Sequence, residues 1–208
     1  LDNTLTPIEN ANKYFARYNK LKRTYEAGTR LIAEIKDEIM YLESIINALD
    51  IATTENDLNN IKEELAVTGY IKKSGKSKNK GNSHNKPMHY ISSDGFDMYV
   101  GKNNIQNDEL TFKFATGGDW WFHAKQMPGS HVIVKSDGRE LPDKTYEEAA
   151  ALAAYYSKGR DLEKVEVDYV LKKEVKKPAG AKPGFVVYYT NYSLIAIADI
   201  SGIKLVSE

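Results

Sequence analysis

Apolar residues in the first part of the chain recur at spacings that alternate between three and four, as in a coiled-coil helix. This stripe, termed the heptad seam, consists of Ala11, Tyr14, Tyr18, Leu21, Tyr25, Gly28, Ile32, Ile35, Ile39, Leu42, Ile46 and Leu49. Thr6 and Pro7 favour a helix start just before the seam. A second, short helix is predicted from Thr54, which can cap its N-terminus, to Val67, with Gly69 as a stop.

The heptad seam requires a partner, because a single helix cannot bury such a stripe alone and the short helix can cover only a part of it. The partner is either a second copy of the chain or another helix. We favour a helix that precedes Leu1 in an antiparallel hairpin, and we expect the chain on its own to self-associate through the seam. Since the chain begins without methionine, we expect it to be part of a longer protein.

After residue 87 the pattern changes to short runs with period-two alternation, which indicates β-strands. The runs are HYIS, FDMYVG, LTFKF, WWFHA and HVIV, then VEVDYVLKKEV, GFVVYYT and YSLIAIAD, with one helical segment, DKTYEEAAALAAYYSKGR, between the two groups. The predicted fold is therefore α+β. A coiled-coil segment at 1–70 precedes a mixed, mainly antiparallel sheet domain with one main helix at 88–208.

Residues 71–87 should form a disordered linker, since Lys72–Pro87 has six lysines, no acid and mostly Gly, Ser and Asn besides. The whole chain has 29 basic and 29 acidic residues, so any contact with nucleic acid must come from local patches. The absence of cysteine excludes disulfides and thiolate zinc sites and fits a cytoplasmic protein. No apolar run approaches the roughly 18 residues of a membrane span, so no membrane partner is expected.

The stretch DWWFHAKQMPGSH concentrates both tryptophans and half of the histidines. Alternation in its predicted strand places Trp121, His123 and Lys125 on one face, while Trp120, Phe122 and Ala124 face the core. After a Pro128-Gly129 turn, Ser130 and His131 open the next strand. If the two strands pair, His131 lies near His123.

Four interpretations compete for this stretch. A metal site lacks a clear third ligand, although Asp119 could serve. A hydrolase that uses His131 with Ser130 lacks the strand-elbow-helix context of such enzymes. A purely structural histidine beneath a tryptophan and an RNA-binding surface are equally favoured. In the RNA-binding case an aromatic ring stacks on a base, and His, Lys and turn N–H groups contact phosphate.

Two further groups of cations support RNA binding. The segment VLKKEVKKPAGAKPG predicts a basic strand end and loop that project into solvent, with Lys172, Lys173, Lys176, Lys177 and Lys182. A charged edge that discourages aggregation is the plainer explanation. The first half of the long helix mixes aromatic residues with the cations Arg17, Lys20, Lys22 and Arg23. That composition suits contact with phosphates and bases.

The chain resembles the NFACT family. The resemblance is carried by SSDGFDMYVGKNNIQNDELTFKFATGGDWWFHAKQMPGSHVIVKS, by the helix, basic strand and Pro-Gly loop that follow, and by LDNTLTPIENANKYFARYNKLKR. It implies the returning helix of a middle coiled coil and a C-terminal RNA-binding domain. The N-terminal NFACT domain and the first coiled-coil helix would precede Leu1. Val170 and Leu171 depart from the family's pattern, and the last strand matches it loosely.

The resemblance implies a role in ribosome-associated quality control. The expected partners are the large ribosomal subunit, tRNA and the preceding parts of the same protein, and the expected outcome is a template-independent alanine tail on a stalled nascent chain. Ribosomal RNA would form the peptide bond, so no catalytic residue, cofactor or metal is expected. Trp121, His123, Lys125, Gly129, Ser130 and His131 would contact RNA or other domains, and Arg17, Lys20, Lys22 and Arg23 the ribosome. The rivals are a surface adhesin that binds fibronectin, a label carried by bacterial family members, and the hydrolase.

Overall fold

The computed structural model describes residues 1–72 and 86–207, so residues 73–85 of the predicted linker lie outside the described residues. Both predicted helices are confirmed, as α1 (Pro7–Ile51) and α2 (Glu55–Val67). Each begins with a reciprocal capping box. Thr6 N–H donates to Glu9 Oε2 at 2.7 Å while Glu9 N–H donates to Thr6 Oγ1, and Thr54 and Asp57 repeat this arrangement.

The chain divides into two compact units, Leu1–Met40 and Tyr41–Glu208. The first unit consists of a short N-terminal turn and most of α1. Its turn is held by Asn10, whose side chain accepts from Asp2 N–H at 2.8 Å and donates to Asp2 C=O at 2.8 Å. Nearly every other side chain of this unit is exposed, including the seam residues from Tyr14 to Ile39.

The sheet of the second unit has seven strands, and every pairing among the described strands is antiparallel. The strand order is β6-β5-β3-β4-β2-β1-β7. The strands are β1 (Met88–Ile91), β2 (Asp97–Val100), β3 (Trp120–Ala124), β4 (Val132–Val134), β5 (Val165–Leu171), β6 (Tyr192–Ala196) and β7 (Lys204–Ser207). The predicted α+β class is confirmed.

Helices cover both faces of this sheet. Helix α4 (Asp143–Tyr155) packs on one face, and its alanines and Leu152 form the first core with Met98, Phe122 and Val132. The second core lies on the other face, where Trp121, Ile133 and Val170 meet Leu110 and Val175. Leu110 belongs to the element that follows α3 (Asn104–Glu109), and Val175 to the chain after β5.

Two predicted strands are wrong. LTFKF forms a π-helical turn, Leu110–Phe114, because α3 starts at the Asn103 cap and its helical path continues into this segment. Burial does not follow the alternation of the sequence: Leu110 and Thr111 are buried, whereas Lys113 and Phe114 are exposed. GFVVYYT makes only one isolated bridge, Val187 to Lys176.

Within the second unit, the C-terminal end of α1 and the whole of α2 pack against the sheet part through buried polar groups. Asp57 and Lys102 form an ion pair at 3.6 Å with 2% and 4% of their side chains exposed. The fully buried Glu64 accepts hydrogen bonds from Tyr41 Oη at 3.0 Å and Asn104 Nδ2 at 2.9 Å. Residues 41–70 thus pack in the same unit as the sheet.

The heptad seam remains uncovered even where α1 joins the second unit. Tyr41, Ile45 and Ala48 are buried against Ile61 of α2, whereas the adjacent seam residues are exposed: Leu42, Ile46 and Leu49. Helix α2 therefore packs beside the seam and not on it, which corrects the expectation that the short helix covers a part of the stripe.

We predict unequal costs for removing the two partners of the buried ion pair. Asp57→Ala strands the ammonium of Lys102 and should lower the free energy of unfolding by about 3–5 kcal/mol. Lys102→Met should cost only about 1–2 kcal/mol, because Asp57 keeps the hydrogen bonds from Thr53 and Thr54. Urea unfolding measures both. Lys158→Met, at an exposed pair with Glu43, is the control and should cost below about 1 kcal/mol. Equal losses of unfolding free energy for Asp57→Ala and Lys102→Met would contradict this prediction.

We predict that the isolated chain self-associates through the heptad seam. Ile35→Glu combined with Ile39→Glu places charge on the seam and should yield a monomer with unchanged helix content. Thr29→Glu with Ala33→Glu has the same spacing on another side of α1 and should leave the association intact. Sedimentation equilibrium gives the molecular mass. A monomeric wild-type chain over the micromolar range would refute this prediction.

Candidate nucleic-acid interface

The face of β3 that carries Trp121 is not a surface. Alternation along the strand is as predicted, but Trp121 is only 1% exposed because the chain after β5 and the π-helical turn cover it. Its ring lies 5.2 Å from that of Tyr188 and 5.1 Å from that of His131. A base cannot stack on Trp121 in this arrangement, so the expectation of an exposed ring is wrong.

His131 is held inside the second core. Its Nδ1 lies 2.8 Å from Thr111 Oγ1, and its N–H donates to Asn107 Oδ1 at 3.0 Å. Both His131 and Thr111 are buried, so this pair offers no nucleophile to a substrate. The strands bring His123 near His131 as expected, with ring centroids 5.5 Å apart.

The rest of the turn is also structural. Ser130 is buried, and its N–H donates to Tyr156 C=O at 2.9 Å. Gly129 approaches the end of α4 so closely that a Cβ there would lie 3.0 Å from the Cβ of Ser157. Gly129 therefore allows β3–β4 and α4 to pack, and the N–H of Ser130 is not available to a phosphate.

Three of the predicted cations are occupied by neighbours in the described structure. Lys125 binds Glu166 at 2.5 Å, with Asp168 3.8 Å away. Lys177 binds Asp108 at 2.5 Å. Lys182 donates to Tyr70 Oη at 2.9 Å and lies 4.4 Å from the ring centroid of Tyr41, so it ties the loop after β5 to α1 and α2.

The remaining cations are available. Lys173 and Lys176 are exposed and Lys172 is half-buried over the ring of Phe112 at 5.8 Å. None of the three pairs with an acid in the part of the chain that the structure describes. We term Lys172, Lys173 and Lys176 the basic edge. On α1, Arg17, Lys20, Lys22 and Arg23 are exposed as expected, and no described acid pairs with them.

Burial changes the acid–base behaviour of the two central histidines. Burial is the largest cause that lowers the pKa of His123, to about 4, against opposing effects of the Gly129 backbone and Asp168. Burial and then the neighbouring His123 lower the pKa of His131 well below its ordinary value. Both rings are therefore neutral at pH 7.

Sequence reasoning missed a second group of aromatic and basic residues near β1 and β2. Tyr99 of β2 stacks on His89 of β1, and Phe114 meets Tyr99 edge-on, with Lys113 beside it. Two of these residues, Lys113 and Phe114, belong to the segment LTFKF. Its apolar alternation predicts a strand, and for that reason their position on a helical turn was missed.

Among residues 1–72 and 86–207, no group of three His, Asp or Glu side chains is arranged to hold a metal ion.

Comparison with known proteins matches two parts of the chain to protein families. Residues 1–84 match the family described as NFACT N-terminal and middle domains, and residues 86–190 match the NFACT protein RNA binding domain. The chain belongs to the NFACT family. No described helix of this NFACT chain is both long and apolar enough to cross a membrane.

Several NFACT relatives carry the name Rqc2 homolog RqcH. The protein from Streptococcus suis is 47% identical over 90% of this chain, and that from Bacillus subtilis is 40% identical over 93%. Each alignment covers 34% of the relative, so the chain spans about a third of the curated relatives it matches. A solved structure of the C-terminal part of the Streptococcus suis fibronectin/fibrinogen-binding protein is also similar, with a TM-score of 0.81 and 43% identity over 95% of this chain and 78% of that one.

We predict that the histidines make this NFACT domain less stable in mild acid. Their folded-state pKa values lie below the unfolded value near 6.5, so their contribution is complete above about pH 6.5 and is lost as pH falls toward 4. Urea unfolding at pH 7.5, 6.0 and 5.0 should show a decreasing free energy of unfolding. His123→Gln should reduce that slope. An unchanged slope in His123→Gln would contradict burial of a neutral imidazole.

Proposed function

We propose that this chain is the RNA-binding part of a ribosome-associated quality control factor. In this proposal it binds the large ribosomal subunit that still holds a nascent chain on tRNA, and it supports the addition of an alanine tail without a template. The relatives named Rqc2 homolog RqcH support the pathway, and the match of residues 86–190 to an RNA-binding domain supports the ligand.

The observation that carries the RNA-binding proposal is the basic edge. Lys172, Lys173 and Lys176 project from the matched domain with no described acidic partner. Elsewhere in this domain, Lys102, Lys125, Lys135 and Lys177 are all paired with carboxylates. Phosphates gain most from cations that have no competing intramolecular partner, because binding then costs no ion pair. Four exposed cations on α1, Arg17, Lys20, Lys22 and Arg23, supply a second contact in the same proposal.

The chain contributes binding and not bond formation in this proposal. Ser130 and His131, which the hydrolase interpretation would use, are both buried, and the His131 ring is neutral. Ribosomal RNA forms the peptide bonds of the tail. The preceding parts of the protein supply the remaining tRNA contacts and the helix that covers the heptad seam. The proposed location is the cytoplasm, where the ribosomes are.

The adhesin alternative has one observation in its favour, the printed name of the similar Streptococcus suis structure. The two functions differ in their ligand and in its charge, so binding assays with purified large subunits and with immobilised fibronectin separate them. Charge reversal of the basic edge should affect the first assay and leave the second unchanged.

We predict that Lys172→Glu, Lys173→Glu and Lys176→Glu together weaken binding to large subunits that carry peptidyl-tRNA. Each lost phosphate contact should flatten the plot of log affinity against log salt by roughly 0.7–0.9, so the triple variant should lose about two units of slope. Cosedimentation at several salt concentrations measures this.

The control for that experiment reverses three other exposed lysines, Lys62, Lys144 and Lys164, and so changes the net charge equally. The control should retain the wild-type affinity and salt slope. If both variants weaken binding equally, the effect is one of total charge, and the basic edge is not the contact.

A further inference from the structure

An open cleft of about 630 Å³ lies beside the second core, between the β1–β2 hairpin and the π-helical turn. Clefts of this volume accommodate ligands of the size of a nucleotide. The side chains that matter for its chemistry are Lys86, His89, Tyr99, Leu110, Lys113 and Phe114. Leu110 is buried and supplies an apolar surface, while the others are at least partly exposed.

The cleft presents a row of flat rings. His89 and Tyr99 are paired across β1 and β2, and their rings stack with centroids 4.6 Å apart and an interplanar angle of 6°. Phe114 continues the row edge-on, 4.7 Å from Tyr99. It ends the row with 44% of the residue exposed. Such a ring on the surface of a folded domain offers a stacking partner to another flat ring.

Phe114 is held in place before any ligand arrives. The wide turn that carries it is closed by a hydrogen bond from Ala115 N–H to Leu110 C=O at 2.8 Å. Lys135 Nζ lies 5.2 Å from the Phe114 centroid and is itself fixed by the buried Asp119 at 2.5 Å. A ring fixed on two sides loses little conformational entropy on binding.

Cations beside the rings make the cleft suitable for an anionic ligand. Lys86 lines it without a described acidic partner. Lys113 pairs with Glu109 at 3.0 Å, but three quarters of the Lys113 side chain is exposed. An exposed pair at this helical spacing is worth only about 0.3–0.5 kcal/mol, so a phosphate can replace the carboxylate. The other acid nearby, Asp97, binds His89 at 2.6 Å.

We propose that this cleft binds an unpaired nucleobase of RNA, stacked on Phe114 beside Tyr99, with the adjoining phosphates against Lys86 and Lys113. The proposal rests on the proposed function, since the cleft belongs to the domain that matches an RNA-binding family. Unpaired bases fit better than a duplex, because protein rings reach and stack on bases only where these are splayed out of a helix. Loops and single-stranded ends of folded RNA provide them.

The test compares Phe114→Ala with Phe114→Trp in the whole chain. The probe is a fluorescent single-stranded RNA of roughly ten nucleotides, alongside an abasic RNA backbone of equal length. Phe114→Ala should bind the base-containing RNA about 5- to 100-fold more weakly, since a stacked base contributes that much. Phe114→Trp should retain wild-type affinity, and all three proteins should bind the abasic backbone alike. Phe185→Ala, an equally exposed phenylalanine that does not line the cleft, is the matched control.

Two results would overturn the proposal. One is wild-type affinity of Phe114→Ala for the base-containing RNA. The other is an equal loss for the abasic backbone, which would make the effect one of charge or folding. Cosedimentation of the same variants with large subunits keeps the two proposals apart. Base-dependent RNA binding without large-subunit binding would reject the proposed function and keep the cleft, and the reverse would reject the cleft alone.

Discussion

The second unit depends on buried charges that only its two parts together can neutralise. Asp57 comes from α2 and Lys102 from the segment after β2, and Lys102 would be a lone buried ion without Asp57. The buried carboxyl group of Glu64 on α2 accepts hydrogen bonds from Tyr41 of α1 and from Asn104 of the sheet part. Burial raises the pKa of Glu64. At Asp57, hydrogen bonds from Thr54 and the charge of Lys102 outweigh burial and lower its pKa. Because an uncompensated buried ion costs several kcal/mol, the helical end and the sheet are expected to fold as one cooperative piece.

Ion pairs within the domain also determine which cations remain available to a binding partner. Half of the described lysines of the sheet domain are paired with a specific carboxylate. Some of these pairs position loops: Lys177 with Asp108 holds the chain after β5, and Lys135 with Asp119 braces Phe114. The chain as a whole is neutral, so a binding surface for RNA requires a local excess of cations. The basic edge has three lysines against Glu174, and in the first half of α1 the cations outnumber Glu9 and Glu26. The histidines, which draw attention in the sequence, belong to the interior.

The sequence was most informative where one physical requirement controls the pattern. The seam from Ala11 to Leu49 and the caps at Thr6 and Thr54 were predictable because helix periodicity and capping are local. The burial of Trp121 was not, since it depends on Val175, Val186 and Tyr188 folding back over the sheet. The alternation in β3 shows which residues share a face but not whether another layer covers it. The π-helical turn was missed for a related reason: the five residues from Leu110 to Phe114 alternate in polarity as in a strand, and only the Asn103 cap and the tertiary packing of α3 decide the outcome.

The aromatic cleft and the basic edge lie at two ends of one layer, and this arrangement favours a ligand longer than a single nucleotide. Tyr99, Ile133, Trp121 and Val170 are cross-strand neighbours in the register of β2, β4, β3 and β5. The π-helical turn covers this row and places Phe114 toward the cleft and Phe112 beneath Lys172. One short element thus contributes to both ends. A folded RNA with a phosphate backbone on the basic edge and an extruded base at Phe114 would use both, and the rigid second core between them would fix their separation. In the proposed function, Trp121 and His131 would contribute to recognition indirectly, through the packing that holds two contact points at a constant distance.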